Sequence, residues 1–310
     1  MKLLVIRPAA LGDTLMLMPA IVQMRLTQEV ILVGRSPGLD YLRPHVHACF
    51  DYEGRAWHRL FLERPDKGQG LPIPSVDLAI GFLQDPQGTV KSNLKTYLPS
   101  IPIYLFPPFP PEGRKVHVAF YLAECLQAAG CDIDPSKSLE NACHRPPFQD
   151  EAPLITTKKR IVFHPGSGGE KKNHPPDFWL DLITALREPL FSQREAFTVL
   201  LGPAEDLLHS FYRKSLENKK VEVVSFPERD ELFSLLKKAS LYIGHDSGIT
   251  HLAAMCGTPT IALFKGTSVF QWRPLGPEVR VIENKESSPS LVAEVLEAAG
   301  ELFGKTTNHR

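Results

Sequence analysis

Residues 242–263 read YIGHDSGITHLAAMCGTPTIAL, and His245, Asp246, Ser247, Gly248, Thr250 and His251 crowd the point where an apolar run gives way to helical spacing. A helix start carries roughly half a positive charge and several N–H groups without partners, so a phosphate is its natural guest. Asp246 or Ser247 is expected to cap this helix, leaving the N–H groups around Gly248 and Ile249 turned outward. His251 follows Ser247 by four residues and shares its face, and its ring leans back towards the helix start. Alone, His251 reads as a hydrogen-bonded core histidine, and His245 as structural.

Three other stretches carry comparable chemistry. In RPAALGDTLMLMPA (7–20), Gly12 permits close backbone approach and Asp13 lies near a helix start. Asp13 is either a helix cap or a general base, and a lone Gly-Asp favours the cap. FHPGSGGEKKNHP (163–175) is a Gly-rich turn whose Gly166, Ser167, Gly168 and Gly169 let N–H groups converge on an anion, with Lys171 and Lys172 to add charge. It matches neither a Walker A loop nor GxGxxG, and a solvated surface turn is the plainer alternative. In LLGPAED (200–206), Glu205 stands where a carboxylate often receives ribose hydroxyls, or where it simply favours a helix N-terminus.

These loops need strands and helices to hold them. Apolar runs at 2–6, 30–34, 77–82 and 101–106 read as strands, with helices expected over 12–25 and 116–129, the latter ended by Gly130. Periodicity breaks over 141–160, which carries Pro146, Pro147 and Pro153, and a domain boundary is expected there, dividing 1–152 from 153–310. Strands then recur at 160–164, 197–202, 221–226, 241–244, 258–264 and 279–283, separated by helical stretches and followed by a helix over 288–302. Such alternation implies parallel sheets with right-handed crossovers, hence an α/β chain of two Rossmann-like domains facing a cleft. PSIPIYLFPPFPP (99–111) cannot be a central strand or a helix throughout.

Composition narrows the function classes. Thirty-five basic residues balance thirty-five acidic ones in 310 residues, which gives no global field for nucleic acid. Five scattered cysteines without a CxxC pair read as free thiols in a reducing compartment, and a structural metal is not expected. Arg7 and Pro8 interrupt the apolar N-terminus, which rules against a signal peptide, and no run approaches the length of a membrane-spanning helix. A cytoplasmic protein is expected.

Taken in order, RPAALGDTLMLMPA, HPGSGGEKKNHP, LGPAED, DSGITHLAA and ALFKGTSVFQWRPLG resemble the ADP-heptose lipopolysaccharide heptosyltransferases, glycosyltransferase family 9 of the GT-B fold. The resemblance implies that Asp13 is the catalytic base, Lys172 a donor-diphosphate contact and Glu205 the ribose ligand. Ser247 and Gly248 match the phosphate-binding helix start, completed by Asp246 and His251. The chain departs from the family's motifs at His174, where a tryptophan is usual, and at Lys265, which enters the Phe-Gly-Pro-Thr segment and could add a phosphate contact.

The resemblance further implies inverting transfer from a nucleotide sugar without metal or other cofactor, ADP-heptose being the expected donor. The implied acceptor is an acidic or lipid-linked saccharide, met by first-domain cations among Arg35, Arg43, Arg55, Arg59, Arg64, Lys91 and Lys95. Such an acceptor allows peripheral contact at the cytoplasmic face of the inner membrane. As in other GT-B proteins, the last helix is expected to cross back onto the first domain. The alternatives are a GT-B nucleotide-sugar epimerase and a non-catalytic sugar-nucleotide-binding protein.

Overall fold

The computed structural model describes residues 1–54, 56–65, 68, 70–148, 160–187, 195–217, 219–284 and 286–308. Contacts divide the chain into two units, Met1–Asn141 and Ala142–Arg310.

The first unit runs β1 (Lys2–Arg7), α1 (Leu11–Leu15), α2 (Met18–Met24), β2 (Glu29–Gly34), α3 (Gly38–Leu42), β3 (Ala48–Asp51), β4 (Leu78–Phe82), α4 (Thr89–Tyr97), β5 (Ile103–Phe106), α5 (Val118–Ala128) and α6 (Pro135–His144). Its parallel sheet has the order β3-β2-β1-β4-β5. The central β1 is apolar throughout because both its faces are covered, and Leu3 to Ile6 are buried. The single helix expected over 12–25 is two helices. Pro19 lacks an N–H and would clash with the carbonyl four residues back, so the chain turns at Met16–Leu17 and restarts with the proline in the first turn of α2. Gly130 closes α5 at φ 94°, as its position suggested. The proline-flanked β5 takes the sheet edge, where a strand tolerates neighbouring prolines.

The second unit runs β6 (Arg160–His164), α7 (Pro176–Arg187), β7 (Ala196–Leu201), α8 (His209–Leu216), β8 (Val221–Ser225), α9 (Arg229–Lys238), β9 (Leu241–His245), α10 (Gly248–Met255), β10 (Thr260–Phe264), α11 (Val269–Trp272), β11 (Val279–Glu283) and α12 (Pro289–Asn308). Its parallel sheet has the order β11-β10-β9-β6-β7-β8. Strand order reverses between β6 and β9, and the crevice beyond the carboxyl ends of strands at such a point is where open α/β sheets take ligands. Those ends are His164 and His245, each followed by one of the loaded loops.

The division falls after Asn141, because the segment beyond it packs into the second unit: Phe148 is buried against Phe233 and its N–H donates to the Met255 carbonyl. The expected break at 152/153 lies outside the described residues. The apolar face of α12 (Leu291, Val295, Ala298, Ala299 and Leu302) packs with α7 in the second unit's own core.

Candidate functional site

In the second unit the start of α10 is capped by Ser247, whose Oγ accepts from the Thr250 N–H at 3.3 Å. Thr250, fully buried, fixes this turn from below. Its hydroxyl donates to the His245 carbonyl and lies 3.1 Å from both the Tyr242 hydroxyl and Ser247 Oγ. Asp246, one residue earlier, is therefore left to reach elsewhere. Its Oδ2 accepts from Lys172 Nζ at 2.9 Å and from Thr267 Oγ1 at 2.7 Å, while its Oδ1 lies 3.7 Å from His251 Nε2. Burial alone would raise this carboxyl, but the adjacent His251 ring and the hydrogen bonds from Lys172 and Thr267 outweigh it and hold the pKa at about 2. A carboxylate so engaged cannot itself attract a diphosphate. Its part is to hold cations and donors in place: the ammonium of Lys172 has three protons and gives one to Asp246, and the side chain stays 37% exposed.

A second chain of contacts begins at the same cap. Ser247 Oγ lies 3.4 Å from His164 Nδ1, and His164 Nε2 lies 3.6 Å from Glu205 Oε2. Glu205 is 3% exposed and its Oε2 accepts from the Gly202 N–H at 2.7 Å. It lies against Gly166, where a Cβ would sit 1.7 Å from Oε1, so glycine is required for close approach rather than for torsional freedom. The ordinary reading of Glu205, a carboxylate at a helix start, describes its observed bonds.

The Gly-rich turn is ordered by Ser167, whose hydroxyl meets Asn173 Oδ1 at 2.6 Å, while Gly168 and Lys171 are exposed. Lys265 Nζ donates to the Asn173 carbonyl at 3.1 Å, so the extra lysine braces the same turn. His174 is buried, with its ring 4.8 Å from that of Phe178, its Nδ1 2.7 Å from Ser287 Oγ and its N–H donating to His245 Nε2 at 2.8 Å. Burial first, then Lys265, lowers its pKa to about 4. Burial, then His174 and His164, lowers that of His245 to about 3. Both rings are neutral packing groups near neutral pH, which agrees with His245 as structural.

In the first unit, Gly12 and Asp13 open α1. The N-cap is Ala10, without a side-chain cap bond, and Asp13 lies in the first turn, an acidic side chain where the helix dipole favours one. The neighbouring Arg7 is fully buried, with Nε donating to the Asp13 carbonyl at 2.9 Å. Of the first-unit cations, Arg35 pairs with Glu53 at 3.2 Å and Arg43 with Asp40 at 3.5 Å. Arg59 donates to the Gly70 carbonyl, and Arg64, Lys91 and Lys95 are exposed. Arg55 lies outside the described residues.

The second unit thus joins Lys172, Asp246 and His251 in one cluster and Ser247 and Glu205 in another, while Asp13 and Gly12 belong to the first unit. Sequence reasoning overlooked Thr267, His164, Asn173 and Arg7. His164 had a signal, as the last residue of a strand-like run, whereas Thr267 and Asn173 are ordinary loop residues until the sheet aligns them.

Two parallel α/β sheets, one in each unit, are the architecture of the GT-B fold. The sequence profile of glycosyltransferase family 9 (heptosyltransferase) matches residues 113–298, and the chain belongs to that family. Lipopolysaccharide heptosyltransferase 1 of Campylobacter coli is 26% identical over 129 residues, 40% of this chain and 36% of that protein. The match therefore spans about a third of that relative's length. A family 9 glycosyltransferase from Veillonella parvula superposes with a TM-score of 0.69 at 16% identity, covering 98% of this chain and 97% of the other. The E. coli heptosyltransferase WaaC with ADP gives 0.69 at 15% identity, covering 97% and 100%. These structural likenesses establish the fold. Among the described residues no helix is long and apolar enough to cross a membrane.

Proposed function

We propose that the protein is an inverting, metal-independent glycosyltransferase that moves a sugar from a nucleoside-diphosphate donor to a saccharide hydroxyl. The preferred pair is ADP-heptose and the inner core of lipopolysaccharide. The observation that carries this reading is the ionised Asp246, gathering Lys172, Thr267 and His251 at the start of α10 where strand order reverses. The N–H groups of α10, with Ser247 and Gly248, receive the diphosphate, and Lys172 neutralises the charge that builds on it as the sugar departs. Ser167, Gly168 and Lys265 shape the turn that presents Lys172. Glu205 receives the ribose through the oxygen not used by Gly202. These groups supply the positive charge a divalent ion would otherwise bring, so chelator leaves turnover intact.

Asp13 takes the acceptor proton as its oxygen attacks the anomeric carbon from the face opposite the diphosphate. General-base assistance of this kind is worth about 10²- to 10⁴-fold. Lipopolysaccharide heptosyltransferase 1 of C. coli supports the heptose and lipopolysaccharide assignment, and the E. coli protein solved with ADP supports adenine as the base. A lipid-linked acceptor would bring the enzyme to the cytoplasmic face of the inner membrane.

The test is ligand-induced stabilisation by ADP, UDP and GDP, followed by turnover of ADP-heptose in wild type and Asp13→Asn. Selective stabilisation by ADP is expected, with Asp13→Asn binding ADP normally and losing 10²-fold or more in kcat. Asp13→Asn turnover within a few-fold of wild type removes Asp13 from the mechanism. Epimerised sugar nucleotide from donor alone replaces the transferase reading with the epimerase one.

A further inference from the structure

Arg7 ends β1, at the place in the first sheet where strand order reverses between β1 and β4. It is 0% exposed, among the largest side chains so buried. Its Nε–H donates to the Asp13 carbonyl and its Nη1–H to the Pro108 carbonyl, each at 2.9 Å. The guanidinium carbon lies 5.6 Å from the ring centre of Phe82 and 5.7 Å from that of Phe109. Nη2 is buried, with no hydrogen-bond partner among the described residues. A site that needed only bulk would be served better by an apolar side chain, since a buried, incompletely bonded guanidinium is costly. Burial brings its pKa down to about 10, with Asp13 foremost among the influences opposing the fall, and it remains a cation at neutral pH.

We infer that Arg7 is the positioning residue of Asp13: it ties the turn between β1 and α1 to the segment after β5 and keeps a cation beside the Asp13 carboxylate. The inference rests on Asp13 as the base. The planar fork matters as much as the charge, because one side chain must reach two carbonyls 95 residues apart in the chain, at Asp13 and Pro108. The described ionisable groups on neighbouring elements are paired or protonated. Asp40 on α3, which packs on α1, is paired with Arg43. On α5, Tyr121 and Cys125 are held protonated by burial, the thiol at about 11, and Glu124 is paired with Arg114.

Arg7→Met and Arg7→Lys are compared with wild type and Asp13→Asn in ADP affinity, thermal midpoint, donor KM and the pH dependence of kcat. ADP-heptose and lipopolysaccharide lacking its inner-core heptose serve as substrates. Loss of aim is expected to lower kcat about 10- to 100-fold in Arg7→Met with donor KM nearly unchanged. Loss of the cation moves the acid limb of kcat up by about one pH unit, because a carboxylate that loses a nearby positive charge holds its proton more strongly. Arg7→Lys, which keeps a cation but not the fork, lowers kcat with the limb in place. A lower thermal midpoint with unchanged kcat and an unmoved limb in both variants makes Arg7 merely structural and overturns the inference. Should Arg7→Met fail to fold, Arg7→Lys decides: reduced kcat at constant donor KM supports it, wild-type kcat overturns it. An active Asp13→Asn defeats the base assignment itself, whereas an inactive one with an unmoved limb in Arg7→Met defeats only the role of Arg7.

Discussion

Gly166→Ala is the sharpest probe of how the donor side is built. The new methyl would stand 1.7 Å from Glu205 Oε1, 1.9 Å from its Cδ and 2.4 Å from its Cγ. Ordinary contact requires about 3.5 Å, so the carboxylate must retreat by roughly 1.5 Å. It is 3% exposed, and Oε2 is committed to the Gly202 N–H at 2.7 Å. Retreat gives up that charged hydrogen bond, worth about 1.5–3 kcal/mol, and leaves a buried N–H without a partner. At about 2–4 °C per kcal/mol for a domain of this size, the thermal midpoint should fall by roughly 3–12 °C. The assay is a four-protein cycle of wild type, Gly166→Ala, Glu205→Ala and the double variant, melted with and without ADP. Because the methyl's three nearest atoms all belong to the Glu205 side chain, the double variant should melt close to Glu205→Ala, with a coupling of about 2 kcal/mol. Strictly additive losses, or a Gly166→Ala midpoint within a degree of wild type, would refute the lodged carboxylate. ADP affinity separates the roles of Glu205: a drop of about 10-fold or more in Glu205→Ala fits ribose binding, and no change leaves it as a cap.

Two further outcomes follow from the same site. His174 has a folded-state pKa of about 4, below that of an unfolded histidine, so the unfolded chain binds the extra proton and stability drains as pH falls from about 6.5 towards 4. His174→Phe should flatten the decline of thermal midpoint over that window while leaving pH 8 little changed, and an unaltered slope would count against a neutral buried ring. Thr250→Val keeps the shape but strips the Tyr242 hydroxyl and the His245 carbonyl of their shared partner, costing about 1–3 kcal/mol, whereas Thr250→Ser should cost less. Melting both variants checks this, and a neutral Thr250→Val would show the turn to be held by other means.

Much of the architecture was legible because it is written in local periodicity. Apolar runs such as LLVI and YIG are strands buried on both faces, and the helical spacing after Ser247 gives α10 its start and cap. Short or half-buried pieces were not legible. β3 is four residues of mixed burial at a sheet edge, α4 begins after a left-handed Gly88, and α6 has few large apolar residues to mark its face. The break in the first long helix was encoded in Pro19, but the expected helical pattern ran through it.

The sequence alone determined the alternation of strands and helices, the loops that carry polar residues, and the family to which their order points. All are properties of neighbours a few residues apart, where backbone geometry repeats. Only the tertiary structure decided partners. Asp246 meets Lys172 across 74 residues, Arg7 meets the Pro108 carbonyl across 101, and Gly166 makes room for Glu205. The physical reason is that such pairings depend on strand order and close packing, which bring together residues whose spacing along the chain carries no signal.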